Sequence, residues 1–313
     1  MRKRLAIVIN SFNRLSLLKN CIANLIELMP QVSVDYLIMI VDAGSDDDSL
    51  LYIEDCRQKH DFIFSEIAKN GESISFSEGC NIGVNASLKL YPDLDDILLF
   101  ETDNYFKNSA ALSNALAIIE DPNYACVGFT VEKYDGKKIT YGNTKPTLLG
   151  FLIGQTLSKK FGFEQVKDSW QTTGNVRVNK SAIIFTSPLL IKAKAWKEVG
   201  GMDSKIFPFS DSDADLCLSF LKAGYTNMVL DTPGVIHDNK NQSSAWSQKR
   251  VIDYHIAHSL LLKKHLSTPP LLFQTFIIIK YSIELLGGRL LSKPQEYINS
   301  RKTLLRYHFN RSN

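Results

Sequence analysis

Cysteine is scarce in this 313-residue chain, and the spacing of its cysteines fits no cross-linking pattern. They number five and form no CxxC pair: Cys21, Cys56, Cys80, Cys126 and Cys217. A disulfide framework needs paired cysteines and a structural zinc site needs clustered ones, so the sequence argues against both. The pattern is typical of a reducing compartment, and we expect a cytoplasmic protein.

An excess of charge of either sign is also missing. The chain has 36 basic and 33 acidic residues, for a formal net charge of +3. Nucleic-acid-binding domains are usually strongly basic, so we expect no nucleic-acid partner. With 44% hydrophobic and 22% charged residues, the composition is typical of a soluble globular protein.

The first residues contain no long hydrophobic run. After the basic lead MRKR, the run Leu5–Ile9 is too short for the core of a signal peptide, so we interpret it as a strand and expect no secretion. Glycine-rich phosphate loops are missing as well. The acidic run that begins at Asp42 contains neither GxGxxG nor GxxxxGKS/T, so a dehydrogenase or P-loop protein lacks its motif.

What the sequence does have is an alternation of strand and helix patterns. Leu5–Ile9, Tyr36–Val41 and Ile97–Phe100 are continuous apolar runs, typical of strands buried on both faces of a parallel sheet. The segments between them have helical length: Leu15–Met29, Ser49–Lys59 and Ser77–Leu90. This order predicts an α/β fold with a Rossmann-like, doubly wound, mostly parallel sheet, in which ligands bind at the carboxyl ends of the strands.

The pattern loosens over residues 133–181, which we interpret as a variable region laid over the sheet. It recovers at Ala182–Phe185 and in a helix that opens near Lys192. A further helix is predicted from Asp213 to Lys222, and Gly224 ends it as a C-cap.

Two carboxylates follow the third strand, in the order Glu101-Thr102-Asp103. At the end of a strand, carboxylates two residues apart can share a divalent cation with a diphosphate, because Mg²⁺ and Mn²⁺ prefer oxygen ligands. The alternative is a solvated acidic turn.

A second acidic run follows the second strand. Gly44 permits a tight turn, and the carboxylate of Asp42 is placed to accept a hydrogen bond from a base or a ribose hydroxyl. Asp46–Ser49 are equally typical of a helix N-cap, and both interpretations can hold together.

The third group of candidates comprises Asp211, Asp213, Asp215 and His237. One carboxylate near a helix start could deprotonate an acceptor hydroxyl, and the histidine could give a neutral nitrogen to a metal. Acidic residues also stabilise a helix N-terminus without any catalytic role, and a lone histidine is often structural.

Seven segments in order resemble the family-2 inverting glycosyltransferases of the GT-A fold, and in particular bacterial rhamnosyltransferases. They are VINSFNR, VDAGSDDDS, SEGCNIGV, LLFETD, VGGMD, DSDADLCLSFLKAGY and VIH, between residues 8 and 237. The resemblance implies transfer of a hexose or deoxyhexose from a UDP- or dTDP-linked sugar, with Mn²⁺ or Mg²⁺ as cofactor. The acceptor would be a glycan or a lipid-linked molecule, in the synthesis of bacterial surface polysaccharide.

The same resemblance implies a role for each matching residue. Asp213 is the general base, and Asp103 and His237 are the metal ligands. Asp42 accepts from the base or ribose, with Gly44 in its turn, and the remaining contacts to the nucleotide sugar come from Ser11, Phe12, Asn13, Arg14, Glu101 and Thr102.

The sequence departs from the family pattern at two places. Glu101 opens the motif that usually reads DxD, and Ser212 replaces the glutamate of EDxDLC, on the acceptor side, where Asp211 could compensate. These departures motivate the alternative of a scaffolding protein that binds nucleotide sugars with weakened catalysis. A nucleotidyltransferase of the same fold is disfavoured, because NSFNR contains no glycine.

Composition divides the chain into a catalytic domain, residues 1–240, and a helical, apolar and basic extension, residues 241–313. In the extension, the run Leu271–Leu286 contains Lys280 and Glu284 and is shorter than the roughly 20 apolar residues of a membrane span. Further cations follow it: Lys293, Arg301, Lys302, Arg306 and Arg311. The pattern favours peripheral contact with the inner face of the plasma membrane. The alternative is a helical pair packed on the catalytic domain or on a dimer partner, so a homo-oligomer stays open.

Overall fold

The structure is a computed structural model that describes residues 2–68, 74–133, 135–140, 142–162, 169–174, 176–237 and 247–310. The strands within these residues are β1 Arg4–Ser11, β2 Asp35–Asp42, β3 Ile63–Ile67, β4 Asp96–Leu99, β5 Asn104–Phe106, β6 Tyr124–Phe129, β7 Val131–Glu132, β8 Lys138–Thr140, β9 Gln171–Thr173, β10 Val176–Lys180, β11 Leu189–Lys192, β12 Thr226–Asp231 and β13 Val235–His237. The helices are α1 Leu15–Leu28, α2 Ser49–Lys59, α3 Phe76–Leu90, α4 Ala110–Ile118, α5 Leu148–Ile153, α6 Gln155–Lys160, α7 Ala193–Val199, α8 Ser212–Lys222, α9 Gln248–His265, α10 Pro270–Leu290 and α11 Gln295–Phe309.

Among the described strands, nine form a central sheet in the order β3-β2-β1-β4-β11-β6-β12-β10-β9. The first four run parallel to one another. β11 then pairs antiparallel with both β4 and β6, and a second sheet has the order β5-β13-β7-β8. The predicted α/β class with a large, doubly wound sheet is confirmed.

The central strands are buried on both faces, which explains their continuous apolar runs. Ile7 packs in one core cluster with residues of α1, while its neighbour Val8 packs in another with residues of α3. Helix α3 approaches the sheet closely at Gly83, because a Cβ atom there would lie 2.5 Å from Val8 Cγ1. This glycine of SEGCNIGV therefore serves packing.

Two parts of the sheet differ from the sequence pattern. The strand β3 went unpredicted because it lies at the edge of the sheet, where the side chain of Ile67 is 50% exposed and no continuous apolar run is needed. The apolar residues Ala182–Phe185 contribute an isolated bridge from Ile183 to Asn143, and the strand β11 begins only at Leu189.

The chain divides into two compact units. The first comprises residues 1–144 and 166–240, and the second comprises residues 145–165 and 241–313. The predicted boundary after residue 240 lies outside the described residues and stays a prediction. The structure adds that residues 145–165 belong with the extension, since Phe151 of α5 packs in one cluster with Phe273 and Tyr281 of α10.

Helix α10 is longer than the apolar run Leu271–Leu286, because it continues through Gly287 and Gly288 to Leu290. By length and composition alone it is the one described helix that could cross a membrane. Its residues Phe273, Ile277 and Tyr281, spaced four apart, are buried in the core of the second unit. One face of α10 is therefore a protein-core face.

Candidate active site

Polar residues from three strands meet at one edge of the sheet. The parallel register pairs Ser11 with Asp42, at the carboxyl ends of β1 and β2, and Val8 with Leu99 in β4. Glu101 follows two residues after Leu99. The turns that follow these three strands therefore lie side by side at the carboxyl ends of the strands, where the sequence predicts ligand binding.

The first two turns are hydrogen-bonded to each other. Asn13 has a left-handed backbone conformation with φ of 50°, which asparagine tolerates better than most residues. Its N–H donates to Ser45 Oγ at 2.9 Å, and its Oδ1 accepts from the N–H of Asp46 at 2.8 Å. The side chain of Asn13 thus positions the turn.

Asp42 is fully buried beneath this edge. Its Oδ1 accepts from the N–H groups of Gly44 and Ser45, at 3.0 and 2.7 Å, and its Oδ2 accepts from the hydroxyl of Ser45 at 2.7 Å. Gly44 has φ of 95°, which glycine adopts without strain. The contact of Asp42 with a base or ribose stays a prediction. In the structure, Asp42 stabilises its own turn through these hydrogen bonds.

A cavity of about 280 Å³ opens at the same edge. Five of the predicted residues line it: Ser11, Phe12, Arg14, Glu101 and Thr102. Among the described residues, its lining does not include eight others that were predicted: Asn13, Asp42, Gly44, Asp103, Asp211, Ser212, Asp213 and His237. Several buried polar atoms beside it, including Ser11 Oγ and Thr102 Oγ1, have no hydrogen-bond partner among the described residues, so they are open to a ligand.

The lining also contains residues that the sequence analysis did not assign to the site: the polar Asn10 and four apolar residues, Ala43, Ile74, Phe76 and Phe209. Phe209 is 67% exposed and Phe12 is 48% exposed, so both rings have surface for a ligand. The loop that carries Phe209 is fixed to α3, because the hydroxyl of Ser77 donates to the carbonyl of Phe207 at 2.6 Å. The sequence signal that could have indicated it is the position of Phe209, an aromatic residue between the polar motifs VGGMD and DSDAD.

The second sheet brings a histidine to the acidic motif. In the antiparallel pairing of β13 with β5, His237 lies opposite Asn104. Its Nδ1 lies 2.9 Å from Asn104 Oδ1 and 3.4 Å from Asp103 Oδ1. One ligand atom each from Glu101, Asp103 and His237 lie within 4.8 Å of one another.

These three side chains fit a divalent cation. Asp103 is only 6% exposed, and its Oδ1 has no hydrogen-bond partner among the described residues. Ligand atoms about 2.1 Å from an octahedral cation lie roughly 3.0–4.2 Å apart, which this cluster can reach with small adjustments. Oxygen and imidazole ligands suit Mn²⁺ or Mg²⁺. Glu101, predicted as a nucleotide contact, lies with the proposed metal ligands.

Burial and neighbouring charges act on the carboxyl of Glu101. Burial raises its pKa, the negative charge of Asp103 adds to the rise, and His237 opposes it. The hydroxyls of Thr186 and Ser187 donate to Glu101 Oε1 at 3.0 and 3.3 Å. Such a carboxyl is costly to ionise without a counter-charge, which a cation would supply.

Arg14 brings a positive charge close to the cluster. Its Nη1 lies 3.6 Å from Asp103 Oδ2, and it also lines the cavity. A guanidinium in this position can bind a phosphate oxygen while it stays close to the acidic cluster.

The first turn of α8 holds the predicted base. Asp211 precedes the helix with φ of 60°, and Asp213 and Asp215 lie in its first turn. Burial raises the pKa of Asp213 to about 7, and the negative charges of Asp211 and Glu101 contribute. A carboxyl that titrates near neutrality suits general-base catalysis. Asp215 is 2% exposed and lies in the core-facing part of the helix.

Two further motif residues join α3 to the loop before α8. Asn81 Nδ2 donates to the carbonyl of Met202 at 2.8 Å, and Asn81 Oδ1 accepts from the N–H of Met202 at 2.9 Å. A Cβ atom at Gly201 would lie 2.8 Å from Asn81 Oδ1, so glycine is needed there. The segments SEGCNIGV and VGGMD are therefore held together by structural contacts.

Comparisons with known proteins bear on the family and the fold. The family model described as "Glycosyl transferase family 2" matches residues 6–189. No curated protein matches the chain significantly in sequence. Among solved structures, the chain is similar to the mannosyltransferase PcManGT from Pyrobaculum calidifontis in complex with GDP-Man and Mn²⁺, with a TM-score of 0.54 and 13% identity over 98% of this chain and 75% of that one.

Two more structures show the same likeness. TarS of S. aureus, residues 1–349 in complex with UDP-GlcNAc, has a TM-score of 0.54 and 12% identity over 95% of this chain and 79% of that one. GalNAc-T7 with UDP, GalNAc and Mn²⁺ has a TM-score of 0.61 and 11% identity over 99% of this chain and 56% of that one. At these identities the likeness shows the fold, which is GT-A.

Proposed function

The chain belongs to glycosyl transferase family 2, and from that premise we propose that it transfers a sugar, with inversion, from a nucleoside-diphosphate donor to a hydroxyl group of a glycan or lipid-linked acceptor. The observation that carries the proposal is the cavity at the strand ends, which has Glu101 in its lining and Asp103 and His237 beside Glu101. A UDP- or dTDP-linked donor and a role in surface polysaccharide synthesis are part of the proposal.

The cavity provides for each part of the donor. The exposed rings of Phe12 and Phe209 offer apolar surface to the nucleotide. Arg14 would contact the diphosphate, and Glu101, Asp103 and His237 would hold Mn²⁺ or Mg²⁺. A bound cation there neutralises charge on the leaving diphosphate.

On the acceptor side, Asp213 would take the proton of the attacking hydroxyl. A single displacement at the anomeric carbon needs no covalent intermediate, and it inverts the configuration of that carbon. Asp211 is the carboxylate that could compensate for Ser212, since it lies one residue before α8. The raised pKa of Asp213 supports its assignment as the base, because groups with strongly shifted pKa values cluster at functional sites.

A screen of nucleotide sugars tests the proposal. We expect one or a few donors, with Mn²⁺ or Mg²⁺, to raise the melting temperature, because a ligand that binds only the folded state stabilises it by mass action. The same donors should yield nucleoside diphosphate when the acceptor is added, and NMR of the product should show an inverted anomeric centre. Cation-dependent donor binding without any transfer to glycan or lipid-linked acceptors would favour the scaffolding alternative.

We propose in addition that the second unit contacts the inner face of the plasma membrane. Exposed apolar residues form a stripe along α10, at spacings of seven, four, three and four: Leu272, Ile279, Ile283, Leu286 and Leu290. These spacings place all five on one face of a helix. Arg289 and Lys293, both exposed, lie at the end of the stripe and suit anionic head groups. Arg301, which the sequence suggested for this role, is buried.

The membrane proposal predicts the effect of polar residues in the stripe. Insertion of a large apolar side chain is worth about 1.5–3 kcal/mol, so Ile283→Gln with Leu286→Gln should weaken partition onto anionic liposomes by about a hundredfold or more. Sedimentation with liposomes measures it. Leu51→Gln, at a 73% exposed leucine of α2, is the matched control and should sediment like the parent. Equal sedimentation of the stripe variant and the control would place any membrane-binding surface elsewhere.

A further inference from the structure

A second cavity, of about 380 Å³, lies inside the helical unit. This volume is within the roughly 300–1,000 Å³ of small-molecule sites. Its walls combine aromatic rings with charged side chains, and the residues that matter here are Phe151, Tyr254, His258, Lys280, Glu284 and Arg301.

Among the described residues of its wall, the charges do not balance. Lys280 is 6% exposed and Arg301 is 8% exposed, so both are buried cations. They share the one carboxylate of Glu284: Lys280 Nζ lies 2.5 Å from Oε1, and Arg301 Nε lies 2.7 Å from Oε2. Two cations against one anion leave these described side chains with one positive charge, which is costly to bury without a further anion.

Most N–H groups of the Arg301 guanidinium make no directed hydrogen bond to the described residues. Its contact with Glu284 Oε2 is short but lacks hydrogen-bond geometry, and its Nη1 donates to Ser300 Oγ at 3.2 Å. A guanidinium carries five N–H groups, so the directed hydrogen bonds of the described residues leave most of them for another acceptor.

The neighbouring His255 lies in the field of the same two cations. Burial lowers the pKa of His255 to about 3, and the charges of Arg301 and Lys280 contribute to the fall. The ring is therefore neutral, and its Nδ1 lies 3.2 Å from the hydroxyl of Tyr281. His255 therefore adds no third positive charge to the wall.

Aromatic rings form the rest of the wall. The ring of His258 lies 5.2 Å from that of Phe151 and is stacked on that of Tyr254 at 5.5 Å, measured between centroids. These flat surfaces suit an organic group attached to the anion, whereas a bare ion would leave them unused.

We propose that this cavity binds a phosphate ester, with its phosphate against Lys280 and Arg301 and its organic group against Phe151 and Tyr254. An arginine fork beside a lysine is a typical phosphate site. The inference concerns a second site, and it does not depend on the transfer reaction.

Titration calorimetry on the full chain, without divalent cations, tests the proposal with three probes: inorganic phosphate, phenyl phosphate and dihexanoyl phosphatidic acid below its micelle concentration. We expect both esters to bind more tightly than inorganic phosphate. Arg301→Gln should weaken ester binding by about tenfold or more, since a hydrogen bond to a charged group is lost. Arg306→Gln removes an exposed cation from the same helix and should leave the affinity unchanged.

Glu284→Gln provides a change of opposite sign. It removes the carboxylate that competes with the phosphate, so ester binding should tighten. This variant still tests the proposal if Arg301→Gln fails to fold. Stronger binding of the lipid ester would assign the phosphate to a lipid, and stronger binding of phenyl phosphate to a soluble ester; either order supports the site. No ester binding by the parent, equal effects of Arg301→Gln and Arg306→Gln, or unchanged binding in Glu284→Gln would overturn it.

Discussion

Asp213→Asn should lower the rate of sugar transfer by about 10²–10⁴-fold while donor affinity stays close to that of the parent, because loss of a general base typically costs that much in rate. Asparagine has nearly the same shape as aspartate and can still accept a hydrogen bond from the N–H of Ala214, but it cannot accept the acceptor's proton. Steady-state kinetics with the cognate donor and acceptor give the rate, and calorimetry with nucleoside diphosphate gives the affinity.

The pH profile separates this role from a structural one. Because the pKa of Asp213 is raised to about 7, the carboxylate is lost as the pH falls through 7, so the parent's kcat/KM should fall with it and reach a plateau above about pH 8. The residual activity of Asp213→Asn should lack this step. Asp211→Asn is the matched control: it should keep the step but move it to lower pH, because the negative charge of Asp211 contributes to the raised pKa of Asp213. If Asp213→Asn turned over at the parental rate with the same profile, the base would have to be Asp211 or Asp215.

Asp213 also links stability to pH, with a definite sign. Its raised pKa means that the folded chain holds a proton that the unfolded chain releases between about pH 4 and 7, so this group's contribution to stability declines as the pH rises through that window. Asp213→Asn removes the cost of burying the charge. Its stability relative to the parent should therefore increase with pH, which thermal melts at pH 5 and pH 8 would show.

The sequence predicts the strand ends well because burial on both faces leaves little choice of residue. Leu5–Ile9 and Tyr36–Val41 fall inside β1 and β2, and polar residues follow where the sheet ends. The edge strand β3 was not predicted because most of its residues are only partly buried or exposed, so it needs no continuous apolar run. The association of Phe151 with Tyr281 escapes for another reason: it joins residues 130 positions apart, and local periodicity does not encode such pairing.

Residue roles are harder to predict than residue positions. Asp42 lies at the predicted edge, but its hydrogen bonds to Gly44 and Ser45 depend on the conformation of the turn, which the motif alone does not reveal. Glu101 joins the metal cluster because β13 delivers His237 beside Asp103, a consequence of sheet pairing. Motifs do not reveal Phe209, because its role depends on the exposure of its ring and on its position in the cavity lining.

Asp103→Ala should remove most of the Mn²⁺ dependence of nucleoside diphosphate binding. The cluster would keep Glu101 and His237, but it would lose the buried carboxylate whose Oδ1 has no other hydrogen-bond partner among the described residues. Mutation of a residue that only supports a metal ligand typically lowers the metal affinity by about 10–100-fold. Loss of a direct ligand should lower it at least as much. Calorimetric titration of nucleoside diphosphate with and without Mn²⁺ measures the effect, and transfer activity should fall with it.

The cation-free titration is the more discriminating half of this experiment. Removal of Asp103 takes away the negative charge that lies 3.6 Å from Arg14, so Arg14 becomes freer to bind phosphate, and cation-free affinity should hold or improve. A variant that had merely lost its fold would instead lose binding under both conditions. Asp46→Ala, at an exposed acid of the neighbouring turn, controls for the change in net charge and should retain the parental Mn²⁺ dependence. If Asp103→Ala retained it as well, Asp103 would be no ligand, and the cation would have to be held by Glu101 and His237 without it.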